Sequence, residues 1–70
     1  MIQIRYTKHA VEKMQELGIT EYEVRQALIK GLRFGPDNRD CMHSRLNMIE
    51  VVYAKTLGIY KIVTVYWVRK

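Results

Sequence analysis

The most regular pattern of apolar positions lies between Thr7 and Gly31, and it predicts two short helices joined by a tight turn. In the first half, apolar side chains recur at the spacing of one helical face: Ala10, Val11, Met14 and Leu17. Gly18 is expected to end this helix, because glycine readily takes the left-handed conformation that follows many helices.

The second helix is predicted by its start and end signals as well as by its apolar stripe. Thr20 and Glu23 have the spacing of a capping box, in which each side chain accepts a hydrogen bond from the other residue's backbone. Ile19 precedes the cap and is expected to pack on Val24. The stripe then continues along the helix to Gly31, which should end it, through Val24, Ala27 and Leu28.

Alternation of apolar and polar residues predicts the strands. Residues 1–6 alternate and suit a strand at a sheet edge, whereas 48–54 and 59–69 are typical of a hairpin. Residues 32–34 are expected to start another strand before a strong turn signal, and 39–45 fit either a strand or an extended loop. The order β-α-α-β-β-β predicts one α+β domain over residues 1–70, a helical hairpin packed on a mostly antiparallel sheet.

Pairing the last two predicted strands through a short turn divides their side chains between the two faces of the sheet. One face would hold Ile49, Val51, Tyr53, Tyr60, Ile62, Thr64, Tyr66 and Val68. The other would hold Met48, Glu50, Val52, Ala54, Ile59, Lys61, Val63, Val65, Trp67 and Arg69. Both faces are largely apolar, and the charged positions make the second face the better candidate for exposure.

Charge and length narrow the possible functions. The 70 residues include 12 Lys and Arg against 7 Asp and Glu, a net charge of +5 that favours a polyanionic partner, above all a nucleic acid. So short a chain has a thin core, which suggests a homodimer. Cys41 is the only cysteine, so no intramolecular disulfide can form, and a reducing cytoplasm is expected. Neither a signal peptide nor a membrane segment is expected, because no apolar run is long enough.

A specific motif covers the predicted helices. From Lys8 to Leu28 the sequence follows K-H-A-x-x-K-M-x-x-x-G-I-T-x-x-x-V-x-x-A-L, and V-T-V-Y-W follows at 63–67. This combination resembles a widespread family of short prokaryotic domains of unknown function, with the usual pattern H-A-x-x-R-M-x-x-R-G-I. Here Lys13 replaces the first arginine of that pattern, and Leu17 replaces the second.

That family is similar in element order to the RelE/ParE-like toxins, which are small basic proteins that cut or bind RNA or act on DNA-linked targets. The resemblance therefore implies a RelE/ParE-toxin-like fold and a ribonuclease of a toxin–antitoxin system, with an antitoxin protein as its partner. Two alternatives stay open on the sequence alone: a non-catalytic nucleic-acid-binding module, and a protein-interaction module.

His9 is the main catalytic candidate. It follows the expected helix cap Thr7, where free backbone N–H groups and the helix dipole favour a bound phosphate and a neutral imidazole. RNA cleavage by the 2′-hydroxyl needs an acid, a base and cations, so His9 is interpreted as acid or base. Lys61 would hold the phosphate and Tyr66 would supply an acidic hydroxyl. The alternative, weighted equally, is a histidine that hydrogen-bonds a carbonyl and joins the helix to a strand.

Other side chains are candidates for binding. Those expected to contact nucleic acid are Lys8, Lys13, Arg45 and Arg69, although the two helix lysines also suit a solvated surface. An exposed patch expected to contact a protein partner comprises Tyr22, Arg25 and Ile29. Cys41 and His43 form an isolated C-x-H, which is too few ligands for a structural zinc site. No metal and no cofactor are therefore expected.

Overall fold

A computed structural model describes residues 2–68. The elements are β1 Gln3–Tyr6, α1 Lys8–Leu17, α2 Glu21–Lys30, β2 Leu32–Phe34, β3 Met42–Leu46, β4 Ile49–Thr56 and β5 Ile59–Trp67. The strands form one sheet in the order β1-β5-β4-β3-β2, with β1 parallel to β5 and every other pair antiparallel. The α+β prediction is confirmed, and the segment that suited either a strand or a loop contains β3.

The local signals predicted for the helices are present. Thr7 caps α1 by accepting a hydrogen bond from the backbone N–H of Ala10 at 3.1 Å. Gly18 ends α1 in the left-handed conformation, with φ of 71°. Thr20 and Glu23 form the reciprocal capping box at the start of α2. The hairpin can therefore be predicted from local sequence alone, because each end is satisfied by residues within a few positions.

Both helices pack on the same face of the sheet, where the core lies. The predicted stripe of α2 is fully buried, comprising Val24, Ala27 and Leu28. On α1, Ala10 and Met14 are buried and Leu17 is partly buried, but Val11 is 41% exposed, contrary to the prediction. Val11 instead lines an open groove beside Tyr6, because α1 packs mainly on β5 and only a narrow stripe of the helix is covered.

The predicted division of side chains between sheet faces is correct for β4 and for β5 up to Ile62. It is wrong for the rest of β5. On β4 and β5, the pairs on either side of the irregularity are Val51–Val65, Val52–Thr64, Tyr53–Ile62 and Ala54–Lys61. This register leaves Val63 without a partner on β4. Such a β-bulge turns every later side chain of the strand to the opposite face. Val65 is accordingly buried under the helices, whereas Tyr66 faces away from them with Glu50.

The bulge is tied to the start of α1 by one side chain. The Thr7 hydroxyl donates towards the carbonyl oxygens of Ile62, at 2.9 Å, and Val63, at 3.2 Å. The same oxygen accepts the capping hydrogen bond of α1. A single threonine therefore joins the edge strand β1, the first helix and the bulge of β5.

The approach of α2 to β3 depends on a glycine. Gly31 has an ordinary extended backbone, with φ of −75° and ψ of 165°, so the requirement for glycine there is one of space. A Cβ at this position would lie 2.7 Å from Ser44 Oγ and 2.8 Å from the Arg45 carbonyl oxygen, and would overlap the Ala27 carbonyl. Ser44 is fully buried in this seam and donates its hydroxyl hydrogen to that same Ala27 carbonyl.

Replacing Gly31 with alanine is therefore expected to destabilise the fold by about 3 kcal/mol, because backbone atoms on two elements would have to move. Gly18→Ala is the matched control, since that site has a positive φ but open space, and should lose only about 1 kcal/mol. Urea unfolding of both variants measures the difference. Equal losses at the two positions would contradict the steric explanation.

Candidate functional site

The face of the sheet that the helices leave uncovered, called here the open face, carries a group of polar side chains. Because Ser44 points towards the helices, its neighbours His43 and Arg45 on β3 point the other way. Arg45 pairs with Glu50 on β4, and Glu50 pairs with Tyr66 on β5. Three adjacent strands therefore bring an imidazole, a guanidinium, a carboxylate and a phenol into one row.

Glu50 is the centre of this group and is only 3% exposed. Its Oε1 accepts hydrogen bonds from Arg45 Nε at 3.1 Å and Nη2 at 2.7 Å. Its Oε2 accepts the Tyr66 hydroxyl hydrogen and lies 2.6 Å from His43 Nδ1. Burial alone would raise the pKa of Glu50, but hydrogen bonds from Tyr66, Arg45 and His43 outweigh it and lower the pKa. The carboxylate is therefore kept ionised although it is buried.

His43 lies between two carboxylates. Its Nδ1 faces Glu50, and its Nε2 lies 2.8 Å from Asp37 Oδ2. Burial lowers the pKa of His43, but the hydrogen bonds to Asp37 and Glu50 have the larger combined effect, so the pKa lies above its ordinary value. The ring also stacks on Phe34 with centroids 5.2 Å apart. This environment favours the imidazolium form, in which both ring nitrogens donate.

Asp37 belongs to the loop between β2 and β3. Its Oδ1 accepts hydrogen bonds from the backbone N–H groups of Arg39, at 2.8 Å, and Cys41, at 3.0 Å. The hydrogen bond from His43, followed by these two backbone contacts, lowers the pKa of Asp37 to about 2. The loop therefore places a permanent negative charge at the solvent side of the imidazole.

Tyr66, Arg45 and Asp37 are the members of the group that reach solvent, with Tyr66 36% exposed. Burial, and then the hydrogen bond to Glu50, raises the pKa of Tyr66 to about 12, so its hydroxyl stays neutral and donates. We call the five side chains the open-face cluster: Asp37, His43, Arg45, Glu50 and Tyr66. The Tyr66 ring, the guanidinium and the Asp37 carboxylate reach solvent, and the Glu50 carboxylate and the imidazolium lie behind them.

The cluster contains an aspartate, a histidine and a glutamate, which are common metal ligands, but their arrangement does not suit a metal ion. Asp37 and Glu50 contact opposite nitrogens of the His43 ring, so their oxygens do not converge on a common point. Among residues 2–68, no group of three His, Cys, Asp or Glu side chains is arranged to hold a metal ion.

The structure brings together only some of the residues singled out in the sequence. Tyr66 and Arg45 lie in the open-face cluster. Lys61 is on the same face but pairs with Ala54, four residues along β4 from Glu50, so it lies outside the cluster. His9 is exposed on α1, on the other side of the sheet from the cluster.

The other candidates lie on the helices or at the end of the chain. Lys8 and Lys13 are also on α1, and Lys13 Nζ lies 3.7 Å from Glu16 Oε1. Tyr22, Arg25 and Ile29 are exposed on α2, with Tyr22 70% exposed. Arg69 lies outside the described residues. The helix candidates and the cluster therefore occupy opposite sides of the molecule.

Three members of the cluster were not singled out for this role in the sequence: Asp37, His43 and Glu50. The available signal was the alternation of His43, Ser44 and Arg45, which places the two charged residues on one face if the segment is a strand. That signal was weak because the segment also suited a loop. The partnership with Glu50 depends on strand register, which the local pattern does not contain.

A family model described as "Domain of unknown function (DUF4258)" matches residues 6–67. The chain belongs to the DUF4258 family. Comparison with curated proteins and with solved structures finds no match. In the described part of this DUF4258 domain, no helix is long and apolar enough to cross a membrane, as each has ten residues.

The open-face cluster is expected to make the stability of this DUF4258 domain depend on pH in both directions. The raised pKa of His43 contributes stability that is complete below about pH 6.5 and is lost as the pH rises through the folded-state value. The lowered pKa values of Asp37 and Glu50 contribute stability above about pH 4 that is lost as the pH falls. Stability should therefore be greatest near about pH 5–6.

Urea unfolding between about pH 2.5 and about pH 9 tests this expectation, because that range includes the acid loss below the ordinary carboxyl pKa of about 4 and the alkaline loss above the ordinary histidine pKa. His43→Gln should flatten the decline on the alkaline side, because glutamine has no proton to lose there. His9→Gln is the control, since it removes an exposed histidine outside the cluster. An alkaline decline of equal steepness in the His43→Gln variant would contradict the assignment.

Proposed function

We propose that the open-face cluster is the active site of a metal-independent endoribonuclease. The observation that carries the proposal is the contact of one buried carboxylate, Glu50, with an imidazole, a guanidinium and a phenol on an uncovered sheet face. Attack of a ribose 2′-hydroxyl on the adjacent phosphate needs a proton acceptor, a proton donor and a cation. The cluster supplies all three.

Proton removal is assigned to Tyr66 and Glu50 acting in series. The 2′-hydroxyl transfers its proton to the Tyr66 oxygen, and the original Tyr66 proton passes along the existing hydrogen bond to Glu50 Oε2. Glu50 is a suitable acceptor because it is ionised and already bonded to that hydroxyl. The high pKa of Tyr66 keeps its hydroxyl protonated at rest.

Departure of the leaving group is assigned to His43 and Arg45. As the 2′-oxygen bonds to phosphorus, the bond from phosphorus to the 5′-oxygen breaks, and that oxygen takes the proton from His43 Nε2. The products are a 2′,3′-cyclic phosphate and a 5′-hydroxyl. Arg45 neutralises the extra negative charge of the pentacoordinate phosphorus, and its exposed side chain can reach a bound phosphate.

The cleavage assay compares the wild type with Tyr66→Phe and His43→Gln on single-stranded RNA. We expect kcat to fall by about 10²–10⁴-fold in each variant, the usual contribution of a general acid or base. His9→Gln serves as the control, and urea unfolding confirms that the variants are folded. RNA with a 2′-deoxy residue at the scissile position should resist cleavage.

Other outcomes would identify a different catalytic site or a different function. Loss of cleavage in His9→Gln but not in His43→Gln would favour the sequence-based assignment of His9, with Lys61 as phosphate ligand. RNA that is bound but left intact by the wild type would favour the non-catalytic nucleic-acid-binding module.

Asp37 is expected to compete with the substrate. Its carboxylate occupies the Nε2 side of His43, where the proposal places the scissile phosphate. Asp37→Asn removes the competing charge and should lower KM several-fold. Because it also removes a contact that raises the pKa of His43, both proteins are compared at about pH 5, below the ordinary histidine pKa of about 6.5. Steady-state kinetics measures KM, with Asp40→Asn, on the same loop, as the control. A raised KM would show that Asp37 positions His43 and does not obstruct the phosphate.

The toxin–antitoxin role implied by the resemblance is part of the same proposal. Tyr22, Arg25 and Ile29 are exposed on α2, remote from the open-face cluster, and are assigned as the contact surface for an antitoxin or a second copy of the chain. Growth arrest on expression, relieved by His43→Gln, would support a toxin that acts through its ribonuclease site in the cytoplasm.

A further inference from the structure

A pair of cations lies on the open face outside the cluster. Arg5 on β1 and Lys61 on β5 are direct neighbours in the parallel pairing, and both are exposed. Lys61 also pairs with Ala54, so the cation pair is displaced from Glu50 by four residues along β4, about 13 Å. Strand register therefore fixes its distance from the cluster.

This cation pair has no counter-charge on residues 2–68. Neither Arg5 nor Lys61 forms a salt bridge with a described carboxylate. The two residues line an open pocket of about 450 Å³, whose other walls come from uncharged residues: Tyr6, Thr7, Thr56, Leu57 and Ile59. Like charges directly opposite one another on neighbouring strands are destabilising, and an anion between them would remove that repulsion.

The open-face cluster differs sharply from this pair in charge. Arg45 is neutralised by Glu50, and His43 lies between two carboxylates. The cluster therefore has little net charge with which to attract a polyanion. Arg5 and Lys61 supply two uncompensated positive charges on the same face, at a fixed distance.

We infer that Arg5 and Lys61 form a second phosphate-binding subsite, which holds the backbone of a single-stranded polynucleotide a few nucleotides from the scissile bond. The inference rests on the proposed function, because the position of the subsite is defined relative to the proposed cleavage site. It changes the role of Lys61 from a catalytic group to a binding group. It also predicts a substrate class, because a mononucleotide could not reach both sites.

The test measures affinity separately from cleavage. Fluorescence anisotropy compares wild type, Arg5→Gln/Lys61→Gln and the control Lys30→Gln/Lys55→Gln, which removes the same charge from the helix side. Each protein also carries His43→Gln to keep the RNA intact. For a labelled single-stranded RNA of about ten nucleotides, within the usual site size of single-strand binding surfaces, we expect the Arg5/Lys61 variant to bind about tenfold more weakly.

The salt dependence gives an independent measurement. Loss of two phosphate contacts should reduce the slope of log affinity against log salt by about 1.4, and the control should keep the wild-type slope. Equal weakening in both double variants would overturn the subsite and leave the proposed ribonuclease untouched. Binding of vesicles with anionic phospholipid, lost with the same two substitutions while RNA binding is kept, would assign the pair to a membrane surface.

Binding without cleavage separates the two proposals. If the protein that retains His43 binds RNA through Arg5 and Lys61 but never cleaves it, the subsite stands and the ribonuclease proposal fails. If that protein cleaves RNA and the Arg5/Lys61 variant has wild-type affinity and salt dependence, the ribonuclease proposal stands and the subsite fails.

Discussion

A buried carboxylate needs hydrogen-bond donors for both of its oxygens, and the open face of this sheet is organised around that requirement. Glu50 is 3% exposed and remains ionised because three side chains from two neighbouring strands donate to it. Removing one donor would leave part of a charge desolvated without compensation, which is strongly unfavourable inside a protein. The same contacts fix the rotamers of the groups that would act on a substrate.

Two features outside the open-face cluster hold this arrangement in place. The contact of Gly31 with Ser44 brings β3 against α2 and so determines which residues of β3 point outward. The bulge at Val63 reverses the end of β5 and so brings Tyr66 to Glu50. The polar site is therefore positioned by steric contacts and backbone irregularities that lie outside it.

The sequence predicted the parts of the structure that depend on near neighbours. Both helix caps, the capping box and the buried stripe of α2 could be derived because each involves residues within one or two turns. The C-terminal half of β5 was assigned to the wrong face because the bulge was not foreseen. The bulge is stabilised by Thr7, which is 56 residues distant from Val63 and so outside any local pattern. Arg45 and Tyr66 were both singled out in the sequence, but their common partner Glu50 could be found only from the strand register.

The position of β5 also has a consequence during synthesis. Residues 62–68 combine β-branched and aromatic side chains without a charge, the composition that makes an unpaired segment prone to self-association. In the sheet β5 is an interior strand, with β1 on one side and β4 on the other, and both precede it in the chain. Both neighbouring strands have therefore already been translated when this aggregation-prone segment leaves the ribosome. Pairing within the chain can then compete with self-association as soon as β5 is available.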